Sequence, residues 1–265
     1  MCAGEPFHSL IACFVFMLDT LTQLDVLLAL AMFLGAALYS SVGHAGASAY
    51  LALMALFGVA PATMRPTALV LNIIVASLAS FRYVRAGLFR LRVLWPFLAG
   101  ALPMAFLGGT IVLPGEIYRP LVGAVLLFSA ARLLWPTPIA AEREARDPPV
   151  PLAITLGAGI GLLSGITGTG GGIFLSPLLL FLAWSPPRPA LGIAAVFILC
   201  NSVAGLIGNY AALRELPDAL PLYAIAVLAG GLAGTSLGIA ARAPVILKVL
   251  GVVLIVAGMK LLGVY

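Results

Sequence analysis

Residues 164–177 read "SGITGTGGGIFLSP", and this stretch decides how the rest of the chain is read. Gly168, Gly170, Gly171 and Gly172 crowd into it, and no charged residue lies between Asp147 and Arg188. In a soluble protein such a run would suggest a loop that cradles phosphate. Here it interrupts an apolar stretch, where glycine lets the chain turn tightly and present its backbone N–H groups.

The composition says what surrounds the break. Of 265 residues, 63% are hydrophobic and 9% charged, with a mean hydropathy of +1.17. A soluble domain carries roughly 25% charged residues and about 45–50% apolar ones. So few charges cannot cover a globular surface, and the chain reads as a multi-pass membrane protein with the lipid bilayer as its main partner. The net charge of +5 does not point to nucleic acid. Basic residues gather between apolar segments, where the positive-inside rule expects them. Cys2, Cys13 and Cys200 show neither CxxC nor metal-ligand spacing, so no disulfide framework, metal or cofactor is expected.

Working outward, apolar segments fall at about 26–40, 47–58, 66–81, 93–113, 120–135, 152–166, 173–184, 190–213, 219–241 and 243–263. A helical crossing takes about 20 residues. Segments 26–40 and 47–58 are short and are separated by "SVGHAG"; 152–166 and 173–184 are short and are separated by "TGTGGG". Laying residues 39–58 on 163–183 aligns Tyr39 with Leu163 and Gly46 with Gly170. Asn72 and Phe81 then match Asn201 and Tyr210. Such a long repeat fits a transporter built of two halves.

Charge orients the halves. Loop 82–92 carries Arg82, Arg85, Arg90 and Arg92, whereas its counterpart near 212–220 sets Arg214 against Glu215 and Asp218. Equivalent loops of opposite character imply opposite sides of the membrane. With loop 82–92 inside, the inner face also collects Arg132, Arg143, Arg146, Arg188, Arg242 and Lys248, leaving Arg65, Arg119, Arg214 and Lys260 outside. The expected fold is an all-α integral membrane protein of two inverted repeats, each a re-entrant helical hairpin plus about three spanning helices. Counting every hairpin arm as a crossing gives the same bias.

Repeat 1 covers 24–135, a polar cytoplasmic linker 136–151, and repeat 2 152–265. Residues 1–23 are a leader or an extra apolar segment. They hold no Lys or Arg, so they lack the positive flank of a cleaved signal.

Helix breaks at bilayer depth are tolerated where the freed backbone groups face protein or a water-filled cavity. Short helices starting near Ala47 and Ile173 would aim their N-termini at the membrane centre. Each helix start carries roughly half a positive charge and about four unpaired donors. Two of them converging make an anion site without Lys or Arg. The candidate substrate-binding residues are Gly43, His44, Gly46, Asn72, Gly168, Thr169, Gly170, Gly171, Gly172 and Asn201. Asn72 and Asn201 read either as amide donors to the anion or as interhelical hydrogen bonds. Tyr39, Ser41, Thr167, Ser202 and Tyr210 offer hydroxyls nearby, and Arg65 and Arg82 flank the Asn72 helix. His44, with an unperturbed pKa near about 6.5, could carry a coupling proton or brace the break as a neutral imidazole. Gly157, Gly159 and Gly161 read as a helix-packing face.

"GAGIGLLSG" at 157–165 loosely echoes a dinucleotide fingerprint, but no strand precedes it and no acid follows at the right distance. Two histidines and no acid within an apolar segment assemble no catalytic triad, so an enzyme is not expected.

At these residues the chain resembles the sulfite exporter group called TauE/SafE, related to permeases for sulfonates and thiosulfate. The resemblance runs from about residue 24 to 265 and rests on the duplicated break, hairpin arm and helix with mid-segment Asn or Ser. Gly170, Gly171, Gly172 and Pro177 fill the family's pattern of a glycine run followed by an apolar stretch and proline. The first half departs from it, with His44, Ala45 and Ala47 where more glycine is usual. The resemblance implies transport of small sulfur-containing or organic anions across a bacterial inner membrane. A secondary transporter working by alternating access, with protons as a candidate coupling ion, is the leading expectation. A passive anion channel is the alternative, and the sequence assigns no oligomeric state.

Overall fold

The computed structural model describes residues 22–41, 44–134, 146–238 and 244–264. Nearly all of the expected leader, most of the linker, and Gly43 lie outside the described residues. In chain order the helices are α1 (Gln23–Ser41), α2 (Ala47–Leu56), α3 (Pro61–Arg85), α4 (Leu91–Thr110) and α5 (Gly115–Leu134). There follow α6 (Val150–Thr167), α7 (Gly172–Phe181), α8 (Pro187–Gly208), α9 (Leu220–Gly238) and α10 (Pro244–Leu261). A short 3₁₀ turn, Tyr210–Glu215, joins α8 to α9.

Local chemistry explains the boundaries. Pro61 and Pro187 open α3 and α8, where a missing N–H costs nothing. Gly168 ends α6 with φ 83°, and Gly46 and Gly171 precede α2 and α7 with φ 99° and 78°. These are left-handed conformations that cost other residues about 1–2 kcal/mol each. The run of glycines is therefore a backbone requirement at the break.

α1, α3, α4, α6 and α8 are long and apolar enough to cross a membrane. The first hairpin arms extend beyond the segments at 26–40 and 152–166. α1 has 19 residues and α6 has 18, or about 27–29 Å at 1.5 Å per residue. For α1 the reason is a polar cap. Thr22 N–H donates to Asp25 Oδ2 at 3.0 Å and Asp25 N–H donates back to Thr22 Oγ1 at 3.2 Å, so the helix starts among polar residues. The second arms, α2 and α7, have only ten residues each.

The two halves interlock. α4 packs on α6, and α9 on α1, each pair running parallel. A Cβ at Gly157, Gly161 or Gly165 would come within 2.3 Å of the carbonyl oxygen of Phe97, Ala101 or Ala105 respectively. Gly230 and Gly234 meet Phe33 and Ala37 in the same four-residue register. Only small residues permit such backbone approach. Gly159 departs from the expected packing face: it is exposed, with nothing within 4 Å of its would-be Cβ. Its neighbours at 157 and 161 point to α4 and it points away.

Helices at equivalent places in the two halves pack antiparallel. Tyr83, near the end of α3, lies against Gly192, near the start of α8, and Leu134 of α5 lies on Gly251 of α10. The chain entering α6 lies beside the chain leaving α7, joined by the Arg146 N–H donating to the Ala183 carbonyl at 2.9 Å. On α1, Leu28, Met32 and Ala36 are buried, yet Leu27, Leu30 and Leu34 are more than half exposed. An element apolar on both faces belongs in lipid. The chain is an all-helical, multi-pass membrane protein.

Candidate functional site

The α1–α2 and α6–α7 breaks meet. Tyr39, His44, Ala45, Gly46, Ala47 and Ser48 from the first half enclose a small cavity with Thr169, Gly172, Ile173 and Ile198 from the second. Asn72 of α3 completes it. Its volume is about 10 Å³, room for roughly one water. The N-termini of α2 and α7 both open onto it. In α2 the first intrahelical bond is Tyr50 N–H to Gly46 O at 3.0 Å, so the N–H groups of Ala47, Ser48 and Ala49 come before it. No carboxylate is among the described residues that line this cavity.

Side chains hold both breaks in shape. Tyr50 donates its hydroxyl to Ala45 O at 2.7 Å and lies beneath Gly46, where a Cβ would sit 2.8 Å from that hydroxyl. His44 donates its backbone N–H to Tyr39 O at 2.9 Å, and its ring meets Tyr39 edge-on at 6.3 Å between centroids. In the second half, Thr167 and Thr169 hydroxyls lie 3.0 Å apart.

The two asparagines that the sequence alignment of residues 39–81 with 163–210 would pair are placed differently. Asn72, 1% exposed, faces the cavity and donates Nδ2 to Ser202 Oγ at 2.9 Å. Asn201 stands behind the glycine run, donating Nδ2 to Ser164 Oγ at 2.7 Å and to Gly170 O at 3.4 Å. Both amide oxygens are buried without a protein partner. Their serine partners can donate or accept, so either face of each amide can be satisfied.

Of the residues singled out from sequence, His44, Gly46, Asn72, Thr169 and Gly172 line the cavity. Gly170 sits against Asn72 and Ser202, and Gly171 against Phe197 and Asn201. Gly168 faces away, against Arg65. Gly43 lies outside the described residues. Tyr210, 74% exposed, is not part of the site, and Ser41 bonds back to Leu38 O. Arg82 ties α3 to α9 through Thr235 and through Ser236 at 3.1 Å. Sequence reasoning missed Ser48, Tyr50, Ser164 and Ile198. The three polar ones carry a signal in hindsight: each lies within six residues of a break, on the helices flanking it.

Comparison with known proteins follows the same outline. The family model described as "Sulfite exporter TauE/SafE" matches residues 27–261. The chain is 40% identical over 242 residues to "Probable membrane transporter protein y4hK" of Sinorhizobium fredii, covering 89% of this chain and 97% of that protein. No solved structure matches the chain.

Proposed function

The chain belongs to the sulfite exporter TauE/SafE family of membrane transporters, and from that premise we propose that it moves a small anion by alternating access across the bacterial inner membrane. Sulfite, or a related sulfur-containing or organic anion, is the proposed substrate. One observation carries this reading: the starts of α2 and α7 open onto one cavity that has backbone N–H groups and the Asn72 amide in its wall, and no carboxylate among its described lining residues. Such donors replace the hydration shell of an anion without placing a fixed cation in the membrane. A passive channel needs a continuous wet path, whereas this cavity of about 10 Å³ holds roughly one water. In an alternating-access cycle, binding and release then require the breaks to part.

The inverted-repeat arrangement belongs to the same proposal. It is supported by the antiparallel packing of α3 on α8 and α5 on α10, and by the Arg146–Ala183 bond that brings the start of α6 to the end of α7. On this topology Arg85→Cys reacts with an impermeant thiol reagent only from the cytoplasm, and Glu215→Cys only from outside, in a background lacking native cysteines. Labelling of both from one side would overturn it.

The direct test is flux into proteoliposomes with sulfite, thiosulfate, sulfoacetate or taurine, with and without a proton gradient. Saturable, gradient-driven flux of at least one anion is expected; large uncoupled conductance would favour the channel. Protons are the proposed coupling ion and His44 the proposed carrier. His44→Gln is therefore expected to flatten the pH dependence of flux while substrate binding at one pH stays within about threefold. An unchanged pH profile would reduce His44 to a brace for the break.

A further inference from the structure

A second hollow, a cleft of about 530 Å³, opens where α3 and α5 begin and α4 and α8 end. Pro61, Arg65, Tyr118, Arg119, Asn209 and Glu215 are among its walls. It contains two arginines and one acid, and the one ion pair among the described residues is Arg92–Asp147, elsewhere in the molecule. Arg65 is only 6% exposed. It donates to Ile111 O at 2.7 Å, to Gly108 O at 2.9 Å and to Gly109 O, the carbonyls that finish α4. A helix C-terminus supplies roughly half a negative charge, so the guanidinium keeps part of its own. Its Nε is buried with no partner. A buried cation held only by carbonyls, with no carboxylate at ion-pair distance among the described residues, is costly, and inside a membrane protein it marks an ion route.

The floor of this cleft rests on the chain that leads into the central site. Arg65 packs against Gly168, whose would-be Cβ falls 3.2 Å from Arg65 O and 3.3 Å from its Cγ. Tyr118 donates its hydroxyl to Thr167 O at 3.0 Å. The Thr167 hydroxyl meets that of Thr169, which lines the inner cavity. Thr167 and Thr169 therefore connect the floor of the cleft to the lining of the candidate anion site.

We propose that this cleft is a second anion-binding site, an antechamber that collects small oxyanions such as sulfonates at Arg65 and Arg119, with Tyr118 and Arg65 closing its floor on the Thr167–Gly168 backbone. The role as an antechamber rests on the reading that an anion reaches the central cavity; the attraction of anions into the cleft does not. Arg119 is exposed at the mouth and draws anions in, and Arg65 receives them below. Tyr118 must release Thr167 for passage.

The test uses Ala212→Cys in the cleft wall, with the native cysteines replaced by serine. Its reaction with a sulfonate-bearing methanethiosulfonate is compared with that of a trimethylammonium-bearing one, each rate divided by that with free mercaptoethanol. The normalised ratio is expected to favour the sulfonate by about fivefold or more at low salt and to fall in high salt. Arg119→Gln should lower it severalfold, and added sodium methanesulfonate should slow the sulfonate reagent. Arg65→Gln should lower it further, with Arg119→Gln serving as the surface variant that does not threaten folding. A ratio near unity, or one unmoved by Arg119→Gln, overturns the proposal. Anion preference in the cleft of a protein that moves none of the four candidate substrates would instead sink the proposed substrate class.

Discussion

Gly170→Ala is expected to reduce flux to background and to lower the melting temperature of the purified protein. Two costs combine at this position. Gly170 has φ 74°, a left-handed conformation that costs an alanine about 1–2 kcal/mol. Its Cβ would also fall 2.1 Å from Asn72 Nδ2 and 3.0 Å from Ser202 Oγ, so the amide must move. Moving it breaks the 2.9 Å Asn72–Ser202 bond between buried groups, at a cost of about 1–3 kcal/mol if neither finds a new partner. Removing the obstructing amide should recover part of the loss. The Gly170→Ala/Asn72→Ala double variant should be more stable than the sum of the single changes, with flux still absent. Gly159→Ala is the control, since its added methyl group meets nothing within 4 Å, and its stability should stay within about 0.5 kcal/mol of wild type. Wild-type flux and stability in Gly170→Ala would remove the glycine run from the mechanism. Gly171→Leu is a poorer probe, because its Cβ already lies about 3 Å from Phe197, Asn201 and Ile160 and the rest of leucine has nowhere to go.

What the sequence made legible here was whatever is encoded locally. The breaks announce themselves because only glycine takes φ 74° to 99° cheaply, and a second, weaker copy of the pattern stands in the first half. The helical membrane fold follows from charge depletion together with apolar runs of about 20 residues. Other features are relations between distant segments and leave no local trace. Asn72 and Asn201 look interchangeable in the sequence alignment, yet one faces the cavity and the other holds the loop, because Asn72 bonds across to Ser202 of α8 while Asn201 bonds Ser164 before the break and Gly170 within it. Arg65 looks like a surface charge near a helix start, but the end of α4 folds over it and buries it. The packing role of Gly157 and Gly161 is readable as small-residue spacing; the orientation that leaves Gly159 outside depends on where α4 lies. The length of α1 was hidden because Thr22, Gln23 and Asp25 are polar, and hydropathy stops where the cap begins.

The asparagine pair gives the second large effect, and the difference in placement fixes its form. Asn72→Leu takes the one side-chain amide from the cavity wall and leaves Ser202 facing an apolar group. Substrate KM is expected to rise at least about tenfold, with turnover at saturation less affected, since the lost donor acts on binding. Asn72→Asp should be worse than Asn72→Leu, because a carboxylate donates nothing and repels the anion the cavity would hold. That order is the signature of an anion site: in a purely structural pair, aspartate, which keeps a hydrogen-bonding acceptor for Ser202, should be the milder change. Asn201→Leu acts through the loop. It removes the bonds to Ser164 and to Gly170 O, so the break loosens and both stability and turnover should fall. The two changes converge on Gly170, which Asn72 packs against and Asn201 holds. The Asn72→Leu/Asn201→Leu double variant should consequently lose little more than the worse single variant, a coupling of about 0.5–3 kcal/mol by a double-mutant cycle. Two small, additive losses confined to protein yield would leave both residues as interhelical packing and take the amide donors out of the proposed site.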